Sequence, residues 1–325
     1  MNSYNDKEEK IIEMIESLIR NGVDAELIIS RFESKIFDLK KPELYFWFAK
    51  NVKGIDVKAH EQAVIDKRDP EWNYKFAKNV KGSDINAHGQ VIINSGSLEW
   101  NYKFARYIEG ADVEAHERVI IRNGDPCYNY MFARYIEGAD VRAHGQAIIN
   151  SGDLEWNFNF AKNVRGSDVK AHGQVIKDSG DPEWNYKFAK YIDGIDTKSN
   201  GHGEAVINSC DLEWNYKFAR DIIGADVRAH SNVVINNGDP EWNYKFARYI
   251  EGADVRAHGQ AIINSGDSEW NYLFAEGVKG ADVKAHEQFV FKYGNQIESE
   301  LESLDNYLDD AIASSEKDAS KSMTK

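Results

Sequence analysis

Apolar and aromatic positions in this chain recur on a fixed frame. Trp72, Trp100, Trp156, Trp184, Trp214, Trp242 and Trp270 share one register, and Leu44 and Tyr128 take that place in two further copies. All nine histidines (His60, His88, His116, His144, His172, His202, His230, His258 and His286) occupy a second register, 28 residues apart except for one step of 30. A period of this length marks stacked supersecondary units that complete one another's cores. Nine copies begin near residues 42, 70, 98, 126, 154, 182, 212, 240 and 268.

Two short helices fit each copy. All five prolines (Pro42, Pro70, Pro126, Pro182, Pro240) stand where a first helix starts, a position that needs no N–H and suits a fixed helical φ. Aspartates such as Asp69 and Asp239 precede four of them as caps. A glycine such as Gly82 or Gly252 is expected to end the first helix, Asp84, Asp112, Asp140 and their six equivalents to cap the second, and Gly96, Gly124 and Gly152 to close it. Helices of about ten residues are marginal alone, so packing between repeats must hold them.

Wheel positions separate core from surface. Trp72, Asn73, Phe76, Ala77 and Val80 share one arc of a first helix, and Ile85, His88, Val91 and Ile92 share one arc of a second. The histidines are therefore expected to be structural, buried and bonded to a backbone carbonyl or to a side chain of the adjacent unit. Successive stacked helices lie roughly 10 Å apart, too far for their histidines to share a zinc ion. Nine near-identical copies also supply no unique catalytic set, so neither a metal, a cofactor, a small-molecule substrate nor an enzymatic activity is expected.

The ends depart from the frame. Residues 1–41 read as an N-terminal helical cap, with Ile11, Ile12, Ile15, Leu18 and Ile19, a break at Asn21-Gly22, then Leu27, Ile28, Phe32 and Ile36. Residues 42–294 form the nine-repeat array, 295–312 read as a C-terminal capping helix through Ile297, Leu301, Leu304 and Leu308, and 313–325 as a disordered tail. The extra two residues near 197–202 predict a late-starting or bulged second helix in the sixth repeat and a bend between two arrays. Together these features predict an all-α fold, a superhelical α-solenoid with helical caps.

Charge narrows the function classes. The net charge is −14, of which the repeats carry −7, the residues before 42 carry −2 and those after 295 carry −5. That balance does not favour a polyanion partner. Cys127 and Cys210 fit no repeated metal or disulfide framework, and with no basic-then-apolar leader or membrane-length apolar run the expected setting is the cytoplasm, without a membrane partner.

Two surface rows carry the candidate binding residues. On the first helices Tyr74 and Lys78 face outward, and Lys78, Arg106 and Arg134 belong to a basic row that runs from Lys50 to Arg248 and is broken only by Glu276 in the ninth copy. Next to it, Asn-Val-Lys copies such as Asn79 to Lys81 mix with Tyr-Ile-Glu copies such as Tyr107 to Glu109. On the second helices an outward ridge reads Arg142, Gln146, Asn150 and Arg256, Gln260, Asn264, with Lys170, Gln174 and Arg228 as variants. Such groups can contact protein, phosphate or base edges, and either row is equally consistent with solvated surface.

The run Gly-Ala-Asp-Val at Gly138 to Val141 looks like the end of an ankyrin repeat, but the period and signature differ, and the tetratricopeptide period differs too. Through its Glu-Trp-Asn-Tyr-x-Phe-Ala and Gly-Ala-Asp-Val-x-Ala-His blocks, residues 42–294 resemble antiparallel two-helix solenoids of the HEAT and armadillo class, with a shorter unit. They are also similar to tandem-repeat proteins of unassigned function in bacteria and phages. The resemblance implies a non-enzymatic scaffold that presents an extended surface to a protein partner, by analogy an inhibitor or adaptor of a larger complex. The alternative is single-stranded or structured nucleic acid along the second-helix strip.

Overall fold

A computed structural model of the chain describes residues 6–192 and 201–322. Among these residues the secondary structure is all-α, twenty helices packed in successive pairs. The chain forms two compact units, Met1–Val175 and Ile176–Lys325, whose boundary falls inside the helix Val169–Ser179 of the fifth repeat. The repeat frame alone predicts one uninterrupted array.

The punctuation explains each pair. In the second repeat the Asp69 carboxylate accepts from the backbone N–H groups of Glu71 and Trp72 at 2.9 and 3.1 Å, and starts the helix Pro70–Asn79. Asp84 accepts from the Ala87 N–H and starts Ile85–Ser95, which closes on Gly96 at φ +67°. The equivalent cap of the sixth repeat, Asp196, lies outside the described residues. First helices end earlier than their glycines suggested. Val80 is the cap residue, extended and drawn into the core, and Gly82 at φ +80° shapes the turn beyond it. In the sixth repeat the second helix starts late, as His202–Ser209, after Gly201 in a left-handed conformation. The inserted residues 197–200, on which the expected bend depended, lie outside the described residues.

The core sits between repeats. Ala77 and Ile92 of the second repeat pack with Phe104 and Ile108 of the third, and Tyr74, Ile85, Trp100 and Ala111 close the same cluster. Each repeat thus completes half a core, which is why the pairs require neighbours. The first repeat obtains its neighbour from α1 (Asp6–Arg20) and α2 (Ala25–Leu39), whose Ile12, Ile15, Ile28 and Ile36 pack with Leu44 and Phe48.

The other end is built differently. The second helix of the ninth repeat does not stop at Gly294 but runs as one helix from Val283 to Ser322. Residues 295–312, expected as a separate capping helix, and most of 313–325, expected as a disordered tail, are therefore part of it. Leu301, Leu304 and Leu308 are exposed along its length and cover no repeat.

Candidate binding surfaces

The histidine register is interior. In the seven copies from His88 to His258 the imidazole is buried, and Nδ1 lies 2.6–2.7 Å from the Oδ1 of an asparagine on the first helix of the same repeat, as in His88 and Asn73. This bond within the repeat was not foreseen; the expected bond to an adjacent unit is made at Nε2, and only in some copies, as in His258 and Ser231. The amide is oriented by its other end: Asn101 Nδ2 donates to Ser97 O at 2.7 Å and to Ile92 O at 3.0 Å, which leaves Oδ1 to accept from the imidazole N–H. Nε2 is then the unprotonated nitrogen of a neutral ring.

What Nε2 meets is set by the residue after the histidine one repeat earlier. His258 Nε2 accepts from Ser231 Oγ at 2.8 Å. His116 and His172 instead approach Gly89 and Gly145, where a Cβ would stand 3.4 and 3.3 Å from Nε2 and 3.2 Å from a phenylalanine ring. Glycine costs a helix interior about 0.5–1 kcal/mol relative to alanine, and here it admits the next repeat's ring pair. His144 faces Glu117 Oε1 at 3.1 Å, and one proton must lie between them. Burial raises the Glu117 carboxyl and lowers the His144 imidazole. The same burial holds His88, His116, His144, His172, His202, His230 and His258 down to about 4.

The second-helix ridge is exposed throughout: Arg142, Gln146, Lys170 and Gln174 in the first unit and Arg228, Arg256 and Gln260 in the second. Its amides are partly committed along their own helix. Gln146 Nε2 donates to Asn150 Oδ1 at 2.8 Å, and Gln260 does the same to Asn264 at 2.9 Å.

The first-helix row is more tightly organised. Tyr74, read from the wheel as an outward residue, is half-buried with its ring 5.3 Å from Trp100 of the next repeat. Its hydroxyl accepts from Lys78 Nζ at 3.0 Å. Lys78 also lies 5.3 Å from the Tyr107 ring, the Arg106 guanidinium lies 5.3 and 4.8 Å from Tyr107 and Tyr135, and Arg134 lies 5.5 Å from Tyr135. The result in the first unit is a ladder of cations interleaved with tyrosines that are about half exposed, 51% at Tyr107 and 48% at Tyr135. In the second unit Asp221 interrupts the equivalent row by pairing with Lys190 and Arg220 at 2.9 and 2.6 Å.

Sequence reasoning named the cations of this ladder but not Tyr107 and Tyr135 as partners. The signal was the Tyr-Ile-Glu variant beside the basic row, and only the approach of successive first helices shows that a cation reaches the tyrosine of the following repeat. Among the described residues no group of three His, Cys, Asp or Glu is placed to hold a metal ion, and no helix is long and apolar enough to cross a membrane. Comparison with family models, curated proteins and solved structures finds no match.

Proposed function

We propose that this chain is a non-enzymatic scaffold that binds an acidic patch of a protein partner through the first helices of its first unit. The observation that carries the reading is the ladder Lys78, Tyr107, Arg106, Tyr135, Arg134. Tyrosine and arginine are the residue types that concentrate binding energy at protein interfaces, and rings already stacked on guanidinium groups lose little freedom on docking. The second-helix ridge offers less, because its positions, as in Arg142, Gln146 and Asn150, hold no aromatic side chain to anchor a partner. An adaptor or inhibitor of a larger complex is the form such a scaffold takes.

The test is a pull-down from native lysate with the full chain, with and without nuclease. A partner that survives nuclease, is lost with Lys78→Glu, Arg106→Glu and Arg134→Glu together, and is kept with Arg142→Glu, Lys170→Glu, Arg228→Glu and Arg256→Glu together supports the reading. The reverse pattern, with affinity falling linearly in log–log form as salt rises, replaces it with nucleic-acid binding along the second helices.

A further inference from the structure

The ninth repeat ends in a surface whose counterparts at Tyr74, Tyr102, Tyr216 and Tyr244 are buried or half-buried. At internal junctions the tyrosine of one first helix packs on the tryptophan of the next, as Tyr244 does on Trp270 at 5.5 Å. Tyr272 holds the same register and is 52% exposed, and the last tryptophan of the chain is Trp270. Glu61 and Glu117, in the register after the histidine, are buried against the imidazole of the following repeat at 3.2 and 3.1 Å. Glu287 holds that register and is exposed. Because the helix continues past Gly294 instead of turning, Tyr272, Ala275, Glu276, Val283, Glu287 and Val290 line an open hollow of about 300 Å³.

We infer that this face is a docking site for a helical hairpin of a partner protein that presents a basic residue to Glu276. The shape of the occupant follows from the other junctions: the surface is the one that receives a first helix with aromatic residues four apart, as Trp270 and Phe274 do. Its charge follows from Glu276, the sole reversal of sign in the row. In that row the side chain reaches the residue 29 or 31 positions later, and Lys190 pairs with Asp221 at 2.9 Å. With a carboxylate on this side of the junction, the complementary group is a lysine or arginine. A head-to-tail second copy cannot be the occupant, since the leading face of the first repeat is already filled by α1 and α2 and Leu44 is fully buried. The site lies at the end of the array and is independent of the first-helix ladder.

The probe is one repeat of this protein as a fluorescent peptide, Asp239–Gly266, with a lactam joining Glu241 to Lys245 to hold the helix and with Tyr249→Arg placed opposite Glu276. Anisotropy titration against the full chain should show saturable binding that weakens at least tenfold with Glu276→Arg and is restored by a peptide carrying Tyr249→Glu instead. Absence of binding at millimolar peptide overturns the inference, as does equal affinity for the Arg and Glu peptides. Sedimentation of the full chain alone supplies the remaining outcome: self-association abolished by Glu276→Arg would make a second copy, tail to tail, the occupant and overturn the assignment to a foreign partner.

Discussion

Leu44 in the first repeat is fully buried, whereas Tyr272 in the ninth is half exposed, although both stand on faces that an internal repeat would cover. At the start, α2 imitates a second helix closely enough to supply Glu33, whose Oε1 lies 3.1 Å from His60 Nε2. The first repeat has Tyr45 where later ones have asparagine, so His60 Nδ1 lacks that bond and the ring can turn its N–H toward Glu33. At the finish the corresponding acid, Glu287, has no following histidine. An array of this kind keeps its stability in the junctions between repeats more than in the single repeat. The difference separates an end built for closure from an end built for contact.

The largest effect tests the junctions together. The seven internal histidines have folded values of about 4, below the ordinary 6.5, so their contribution is complete above pH 6.5 and is lost as pH falls toward 4. Each loss is on the order of 3 kcal/mol, and a few of them exceed the whole stability of an ordinary domain. Helical circular dichroism should collapse between pH 6.5 and 4, and amide exchange should start at the ninth repeat, whose outer face is uncovered. A helical signal unchanged at pH 4.5 would remove the buried neutral ladder from the account.

A pair of truncations measures the two ends directly. Leu44→Ala should cost about 2–5 kcal/mol, because it opens a cavity under α1 and α2. Val283→Ala at the open face should cost about 0.5 kcal/mol or less, as exposed substitutions do. Equal losses in urea titration would mean that the ninth repeat is covered in solution, which contradicts the open face and favours self-association.

Much of this was legible in the sequence because the signals were local. Pro70, Asp69, Asp84 and Gly96 each act on their own turn, and a histidine in the middle of an apolar arc has nowhere to go but inside. Partners across 15 or more residues were not legible. The choice of Asn73 for His88 depends on the angle between two helices, and the placement of Tyr74 under Trp100 on the approach of two repeats. Gly294 misled for a related reason. It stands in the closing register, yet the next five residues are Asn-Gln-Ile-Glu-Ser, with no Asp-Pro or tryptophan to start another repeat, and the helix continues through it.

That register also supplies the smallest and sharpest test, because the two ends place opposite demands on one position. Residues 40, 68, 96, 124, 152 and 294 are equivalent, and Lys40 and Arg68 adopt φ +56° and +55° there, a region costly for a residue with a Cβ. Lys40→Gly should therefore stabilise the covered end by up to about 1 kcal/mol. Gly294 is helical, with nothing within 4 Å of an added Cβ, so Gly294→Ala should stabilise the open end by about 0.5–1 kcal/mol. Gly152 has the same free space but sits at φ +69°, and Gly152→Ala should destabilise by a similar amount. Three thermal melts read the signs, and a loss of stability at Gly294→Ala would mean that the helix turns at that residue in solution and that the last repeat closes as its predecessors do.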